Sequence, residues 1–257
     1  MRSVFLVPVY NQIGELPRLL AELRESELAC DELLFVNNGS TDGSAELVHT
    51  SGFPWLDVPQ NRGIGYAFMI ASDWALARNF DVFGVIAGNA KMLPREMPRL
   101  LEPLARGECD YVTGSRFLPG GAAPNLPAFR RWAIPLVNLY VAALYGHSVS
   151  DATCGYAAYR LALLRRASFD WHAPWLESYG FEYYLRGKVL RDPSLRKREV
   201  PVTMRYPTRG PYTKMRAFSG WYAMLRPWWR ARFDGHGFAA ATQAAATSGS
   251  QLERVSS

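Results

Sequence analysis

Val36-Asn37-Asn38-Gly39-Ser40-Thr41-Asp42-Gly43-Ser44 is the stretch whose reading decides the fold class. The run before it, Glu32-Leu33-Leu34-Phe35-Val36, is apolar enough for a strand buried on both faces. The run after it, Ala45-Glu46-Leu47-Val48, opens a helix. The string is therefore a polar, glycine-bearing turn at the carboxyl end of a strand, where open α/β sheets bind ligands. Gly39 and Gly43 permit close backbone approach, and Ser40 or Asp42 suits a helix cap. Taken alone, the turn is equally a plain capped loop, so its neighbours must give it weight.

Working outward, strand and helix signals alternate. Strands are expected at 3–9, 32–37, 54–58, 82–87 and 109–115, with helices at 13–26, 43–50, 64–78 and 95–106. This rhythm argues for a mostly parallel sheet with helices on both faces. The second half predicts a helix over 128–145, a strand over 156–160, a helix over 177–190, a strand over 197–205 and a last helix over about 215–232. From Gly235 the chain is rich in Ala, Thr, Ser and Gly, so 234–257 is expected to be a disordered tail.

Composition narrows the class. The 257 residues suffice for one large domain with a sizeable core. Cys30, Cys109 and Cys154 are odd in number and no C-x-x-C occurs, so neither a disulfide framework nor a zinc site is indicated. A reducing cytoplasm is the simplest expectation. The apolar run Val4-Phe5-Leu6-Val7 is too short for a signal peptide, and no run reaches the ~18 residues of a membrane span. The longest candidate, Trp132 to Tyr145, contains Pro135 and Asn138 and reads as a packed helix. The net charge of +6 is uneven: residues 1–185 carry −4, 186–232 carry +11 and 233–257 carry −1. A basic segment of this kind either attracts phosphate groups or is a solvated face.

Two more turns resemble the first. The opening strand ends Val7-Pro8-Val9-Tyr10-Asn11, where proline ends ladder pairing. Asn61-Arg62-Gly63-Ile64-Gly65-Tyr66-Ala67 opens a helix, and would offer backbone N–H groups and Arg62 to an anion. In this order the three turns resemble the motifs of family-2 glycosyltransferases, whose nucleotide-sugar-binding domain has the GT-A fold. Later strings narrow the likeness: Gly114-Ser115-Arg116-Phe117, Arg130-Arg131 with Asn138, Asp151-Ala152-Thr153-Cys154-Gly155-Tyr156, Glu199-Val200-Pro201-Val202, and Arg209-Gly210 with Thr213-Lys214. They resemble the polyprenyl-phosphate sugar transferases, the group that includes the dolichol-phosphate mannose synthases. The likeness spans residues 3–232.

The resemblance implies a single Rossmann-like α/β domain of the GT-A type over 1–233. It implies inverting transfer of a sugar from a nucleoside diphosphate, UDP- or GDP-linked, to a polyprenyl phosphate. Pro8, Tyr10, Asn11, Asn38, Asp42, Arg62, Gly63 and Asn89 are the implied donor-site residues, and Arg116, Arg131, Arg209 and Lys214 the implied phosphate or acceptor contacts. Where relatives usually place an Asp-x-Asp that holds Mg²⁺ or Mn²⁺, this chain has Ala87-Gly88-Asn89-Ala90-Lys91. Three readings stay open: Lys91 supplies the charge in place of the metal, Asn89 and Asp42 hold a weakly bound metal, or Lys91 points to solvent and the site is inactive. Asp151 and Glu182 are the candidate bases, although an anionic phosphate acceptor needs none. Tryptophans and arginines over 218–233 suit either a membrane–water interface or a core, so peripheral contact at the inner face of the membrane is expected.

Two other functions compete. One is a soluble glycosyltransferase acting on a hydroxyl, for which Trp221, Trp228 and Trp229 would be buried. The other is a nucleotide-sugar-binding protein without catalysis. Nucleic acid is not an expected partner, and the oligomeric state is not written in the sequence.

Overall fold

The computed structural model describes residues 1–166, 169–178, 180–207 and 217–234, with only the backbone for 217–221. A seven-stranded sheet forms its centre, built from β1 (Ser3–Val9), β2 (Glu32–Asn38), β3 (Trp55–Val58), β4 (Val82–Val85), β5 (Tyr111–Ser115), β6 (Ala157–Arg160) and β7 (Lys197–Pro201). Their spatial order is β3-β2-β1-β4-β6-β5-β7. Only β6 runs against the others, wedged between β4 and β5.

The apolar runs of β1 and β2 are continuous because helices cover both faces. Phe5, Val7, Val9, Leu33 and Phe35 point one way, into the layer containing Leu16–Leu23 of α1 (Leu16–Glu25) and Met97–Leu104 of α4 (Met97–Ala105). Val4, Leu6, Leu34 and Val36 point the other way, towards α3 (Ile64–Ala77) and α6 (Gly180–Arg191). The short α2 (Ser44–His49) follows β2. A third cluster joins α5 (Ala128–Tyr145) to α7 (Ala217–Phe233), with Val137 and Val141 against Met224 and Trp228.

The elements match the expected ones within a few residues, and α5 occupies 128–145 as expected. The 132–145 stretch is only half packed, however: Trp132, Leu136 and Leu139 are 79, 67 and 67% exposed. No described helix is long and apolar enough to cross a membrane. All three cysteines are buried free thiols.

Candidate active site

Parallel strands bring their carboxyl ends to one edge of the sheet. β6 joins that edge by its amino end, because Ala157 pairs with Val85 at the end of β4. The turns after β1, β2, β3, β4 and β5, the segment before β6 and the segment after β7 therefore lie along that edge.

The turn after β2 is locked by its own polar groups. Asn11, at φ 50°, accepts Thr41 N–H at 2.8 Å, and its own N–H donates to Ser40 Oγ at 3.1 Å. Asp42 accepts from Ile13 N–H at 3.0 Å and from Ser44 N–H and Oγ at 3.0 and 2.6 Å. Asn38 is buried, donates to Gly63 O at 2.9 Å and Asn61 Oδ1 at 3.2 Å, and accepts Arg62 N–H at 3.2 Å. Its neighbour Asn37 donates to Asp57 at 2.8 Å. These bonds explain the amides. Each NH₂ faces an oxygen, which an aspartate could not satisfy. Asn38 thus shapes the cleft wall through the 61–63 loop and has no free amide for a base. Pro8 and Tyr10 stay half-buried at the end of β1.

The glycine turn at 61–65 departs from expectation. Its α3 N–H groups are taken: Gly65 N–H donates to Ser178 O at 2.8 Å and Tyr66 N–H to Glu177 O at 3.0 Å. A Cβ at Gly63 or Gly65 would collide with the carbonyls of Glu177 and Leu176. The glycines admit the chain's own backbone, not an anion. Arg62 follows suit, paired with Glu177 at 2.6 Å and lying 3.7 Å from the Tyr66 ring centroid.

After β4 lies Gly88-Asn89-Ala90-Lys91. Lys91 is half-buried. Burial, together with the nearby Arg130 charge, lowers its pKa to about 8 against a smaller opposing pull from Glu15. Its Nζ stands 5.7 Å from the Tyr206 ring centroid, and the Arg130 guanidinium stands 5.8 Å from the same centroid. Two cations therefore share one aromatic platform, at a distance range suited to cation–π attraction. The sequence pointed to Arg131, but the structure turns Arg131 outward and Arg130 inward. The two are adjacent on α5, about 100° apart around the helix axis, so only packing could choose between them.

The residues at this turn do not fit a hard divalent cation. Mg²⁺ and Mn²⁺ call for carboxylate oxygens. Here the one side-chain oxygen, on Asn89, accepts Lys91 N–H at 3.3 Å. A side chain at 88 would bring its Cβ to 2.7 Å from Pro8 O. Asp42 is spent as described, and among the described residues no three His, Cys, Asp or Glu side chains group as a metal site.

Arg116 and Asp151 were expected to act separately, as a phosphate contact and a base. They instead form one ion pair whose side chains are both 0% exposed. Arg116 Nε and Nη2 each donate to an Asp151 oxygen at 2.6 Å, and Arg116 N–H adds a third bond at 3.1 Å. Nη2 also reaches Thr153 Oγ1 at 2.6 Å, and Nη1 donates to the Tyr206 hydroxyl. A carboxylate so occupied cannot take a proton from a substrate without breaking the pair. The surrounding motif residues support the same turn. Asn138 bonds Ser150 O and Ala152 N–H, both at 2.8 Å. Glu199 accepts Ser150 N–H at 2.9 Å and Arg186 at 2.9 Å. Arg186 in turn donates to Asp151 O at 2.9 Å.

Glu182 differs from Asp151. It is half-buried in the first turn of α6, beside the bare Cα of Gly155, and has no hydrogen bond or ion pair among the described residues. Burial pushes its pKa up to about 8, partly opposed by Arg186.

Part of the basic segment is taken up in ion pairs within the chain. Arg186, Lys188, Arg196, Arg198 and Arg205 each pair with a carboxylate: Glu199, Asp234, Asp110, Glu108 and Glu22. Arg209 and Lys214 lie outside the described residues. Beside the cleft, Phe129, Ala133, Leu136, Val137 and Tyr140 of α5 and Leu225 of α7 line an apolar groove of about 300 Å³. It begins one residue from Arg130. Trp228 is fully buried, whereas Tyr222, Trp229 and Phe233 are exposed.

Comparison with known proteins agrees with this architecture. Residues 4–167 match the model of the family described as glycosyl transferase family 2. The chain is 33% identical over 210 residues to the undecaprenyl-phosphate mannosyltransferase of Micrococcus luteus, covering 79% of this chain and 83% of that one. It is 29% identical to the polyprenol monophosphomannose synthase of Mycolicibacterium smegmatis, covering 79 and 77%. Among solved structures, glucosyl-3-phosphoglycerate synthase from Mycobacterium tuberculosis, in complex with Mn²⁺, UDP and glucosyl-3-phosphoglycerate, superposes with a TM-score of 0.64 at 20% identity, covering 93% of this chain and 81% of that one. That likeness concerns the fold alone.

Proposed function

This chain belongs to glycosyl transferase family 2 and is a glycosyltransferase of the GT-A fold, and from that premise we propose that it moves a sugar from a nucleoside diphosphate to a polyprenyl phosphate. An anionic oxygen of the acceptor phosphate attacks the anomeric carbon. The new C–O bond forms as the bond to the diphosphate breaks on the opposite face, and the configuration inverts. No proton needs removal, which agrees with the sealing of Asp151. Lys91 and Arg130 stabilise the negative charge that grows on the leaving diphosphate.

The observation that carries this reading is the pair of cations over Tyr206 at the turn where carboxylates would be expected. Charge placed where a transition state develops it is worth about 10²–10³ in rate per group. The apolar groove on α5 supports a lipid acceptor, because its lining residue Phe129 is next to Arg130 in the helix and α5 also carries an exposed apolar row of Phe129, Trp132, Leu136 and Leu139. In this reading the enzyme is peripheral and works from the cytoplasmic side, with residues 1–233 as its one domain.

The test is turnover of UDP- and GDP-sugars with undecaprenyl phosphate in excess chelator, for wild type and Lys91→Ala. Activity in chelator that falls about 10²-fold or more in the variant supports the reading. Strict dependence on added Mg²⁺ or Mn²⁺ removes it. Flotation with anionic vesicles, lost in a Trp132→Glu, Leu136→Glu variant, tests the membrane contact.

A second reading rests on Glu182. A carboxyl with no hydrogen bond or ion pair among the described residues, pushed up to about 8 by burial, suits a base for a hydroxyl acceptor. The two readings predict opposite slopes. A reaction that needs charged Lys91 declines as pH rises through about 8, and one that needs ionised Glu182 increases through the same range.

A further inference from the structure

The turn that presents Lys91 is held in an unfavourable backbone shape. Ala90 has φ 52° and is buried. That left-handed region suits glycine and is costly for a residue with a Cβ. Something must hold it, and one side chain reaches it from the far end of the chain.

Arg205 follows β7, and its Nη2 donates to Ala90 O at 2.8 Å. The same guanidinium grips Glu22 of α1 with two bonds, Nη1 to Oε1 at 2.8 Å and Nη2 to Oε2 at 2.6 Å. Its backbone N–H donates to Lys91 O at 2.8 Å, and Met204 bridges to Met92. The 88–92 turn is thus clamped from one side by the 204–205 backbone and from above by the guanidinium. Arg205 Nε is buried with no partner among the described residues, so the side chain is placed for its two Nη contacts at the expense of its third nitrogen. A lysine could pair with Glu22 but could not make a planar fork that also reaches a carbonyl.

We infer that Arg205 is a positioning residue: anchored on Glu22, it holds the Ala90 carbonyl and so keeps the turn in the shape that presents Lys91 to the cleft. This rests on the role proposed for Lys91. The role belongs to Arg205 and Glu22 together, since Glu22 fixes the direction of the fork. Neither residue touches substrate.

A rescue experiment on the full chain tests it, using the sugar donor and undecaprenyl phosphate that turn over in the assay above. Arg205→Met removes the clamp, and kcat falls about 5- to 30-fold with the donor KM nearly unchanged, the range expected from one left-handed residue. Ala90→Gly alone stays near wild type, because glycine adopts that φ freely. The double variant Arg205→Met, Ala90→Gly regains most of the lost kcat, since the turn no longer needs holding. Glu22→Gln loses less, in the same direction. Rates are measured where circular dichroism shows every variant fully folded, so a stability defect does not pass for a positioning one. A double variant no faster than Arg205→Met, or an Arg205→Met enzyme with wild-type kcat, would overturn the clamp while Lys91→Ala remains impaired. A fully active Lys91→Ala would instead remove the premise, and the two failures are told apart by that variant.

Discussion

Two turns at the same sheet edge look alike in sequence and behave oppositely in the structure. Asn61–Gly65 and Gly88–Lys91 both follow a strand, both carry glycine, and both hold a cation. The first is closed. Carbonyls of 177 and 178 occupy its N–H groups and Glu177 neutralises Arg62. The second presents Lys91 beside Arg130 over the ring of Tyr206. A glycine records that something approaches the backbone closely. What approaches is settled by the element packed against it, which for the first turn is the chain itself.

The largest effect is expected at the buried pair that also holds the hydroxyl of Tyr206, the ring shared by Lys91 and Arg130. Arg116→Met leaves Asp151 charged and buried without its partner, so roughly 3–5 kcal/mol of stability is expected to be lost. Urea unfolding measures it, and a loss under ~1 kcal/mol would mean that the pair is not the buried anchor described. The next effect is on Lys91. With its pKa lowered to about 8 by burial and by Arg130, against Glu15 and beside Tyr206, its charge is full well below pH 8 and lost above it. The rate carried by that charge falls about tenfold per pH unit beyond the midpoint. Lys91→Arg keeps a charge at all these pH values. A pH profile of that variant with the same decline would assign the limb to another group.

A smaller effect sharpens the closed turn. Gly65→Ala pushes a methyl into the Leu176 carbonyl, and roughly 1–3 kcal/mol of destabilisation is expected from such overpacking. An unchanged melting temperature would show that the 176–178 segment yields easily. The smallest belongs to Arg62. Its pair with Glu177 is partly exposed, so Arg62→Ala is expected to cost under about 1 kcal/mol. Its kcat is expected to stay close to wild type. A loss as large as that of Lys91→Ala would erase the distinction between the two turns.

Much of the fold was legible because its signals are local. The double-faced apolar runs of β1 and β2 and the 18 residues of α5 lie where periodicity places them. The direction of β6 was not legible, since a four-residue strand carries no mark of which way its neighbours run. The candidate site divided in the same way. Lys91 was visible as a cation in a place that usually holds carboxylates. Arg130 was not separable from Arg131, because which face of α5 turns inward depends on the sheet beneath it. Within the +11 segment, Arg196, Arg198 and Arg205 are taken up by Asp110, Glu108 and Glu22, which no local signal in the sequence foretold.

The sequence by itself determined the alternation of strands and helices, the edge at which the polar turns gather, and the arrival of Lys91 among them. Hydrophobic periodicity and turn chemistry act over a few residues, so they can be read from a few residues. The tertiary structure alone decided which charges meet. Arg116 finds Asp151 from 35 residues away and Arg205 finds Glu22 from 183. Buried charges must be paired where they come to rest, and only the packing of the elements says where that is.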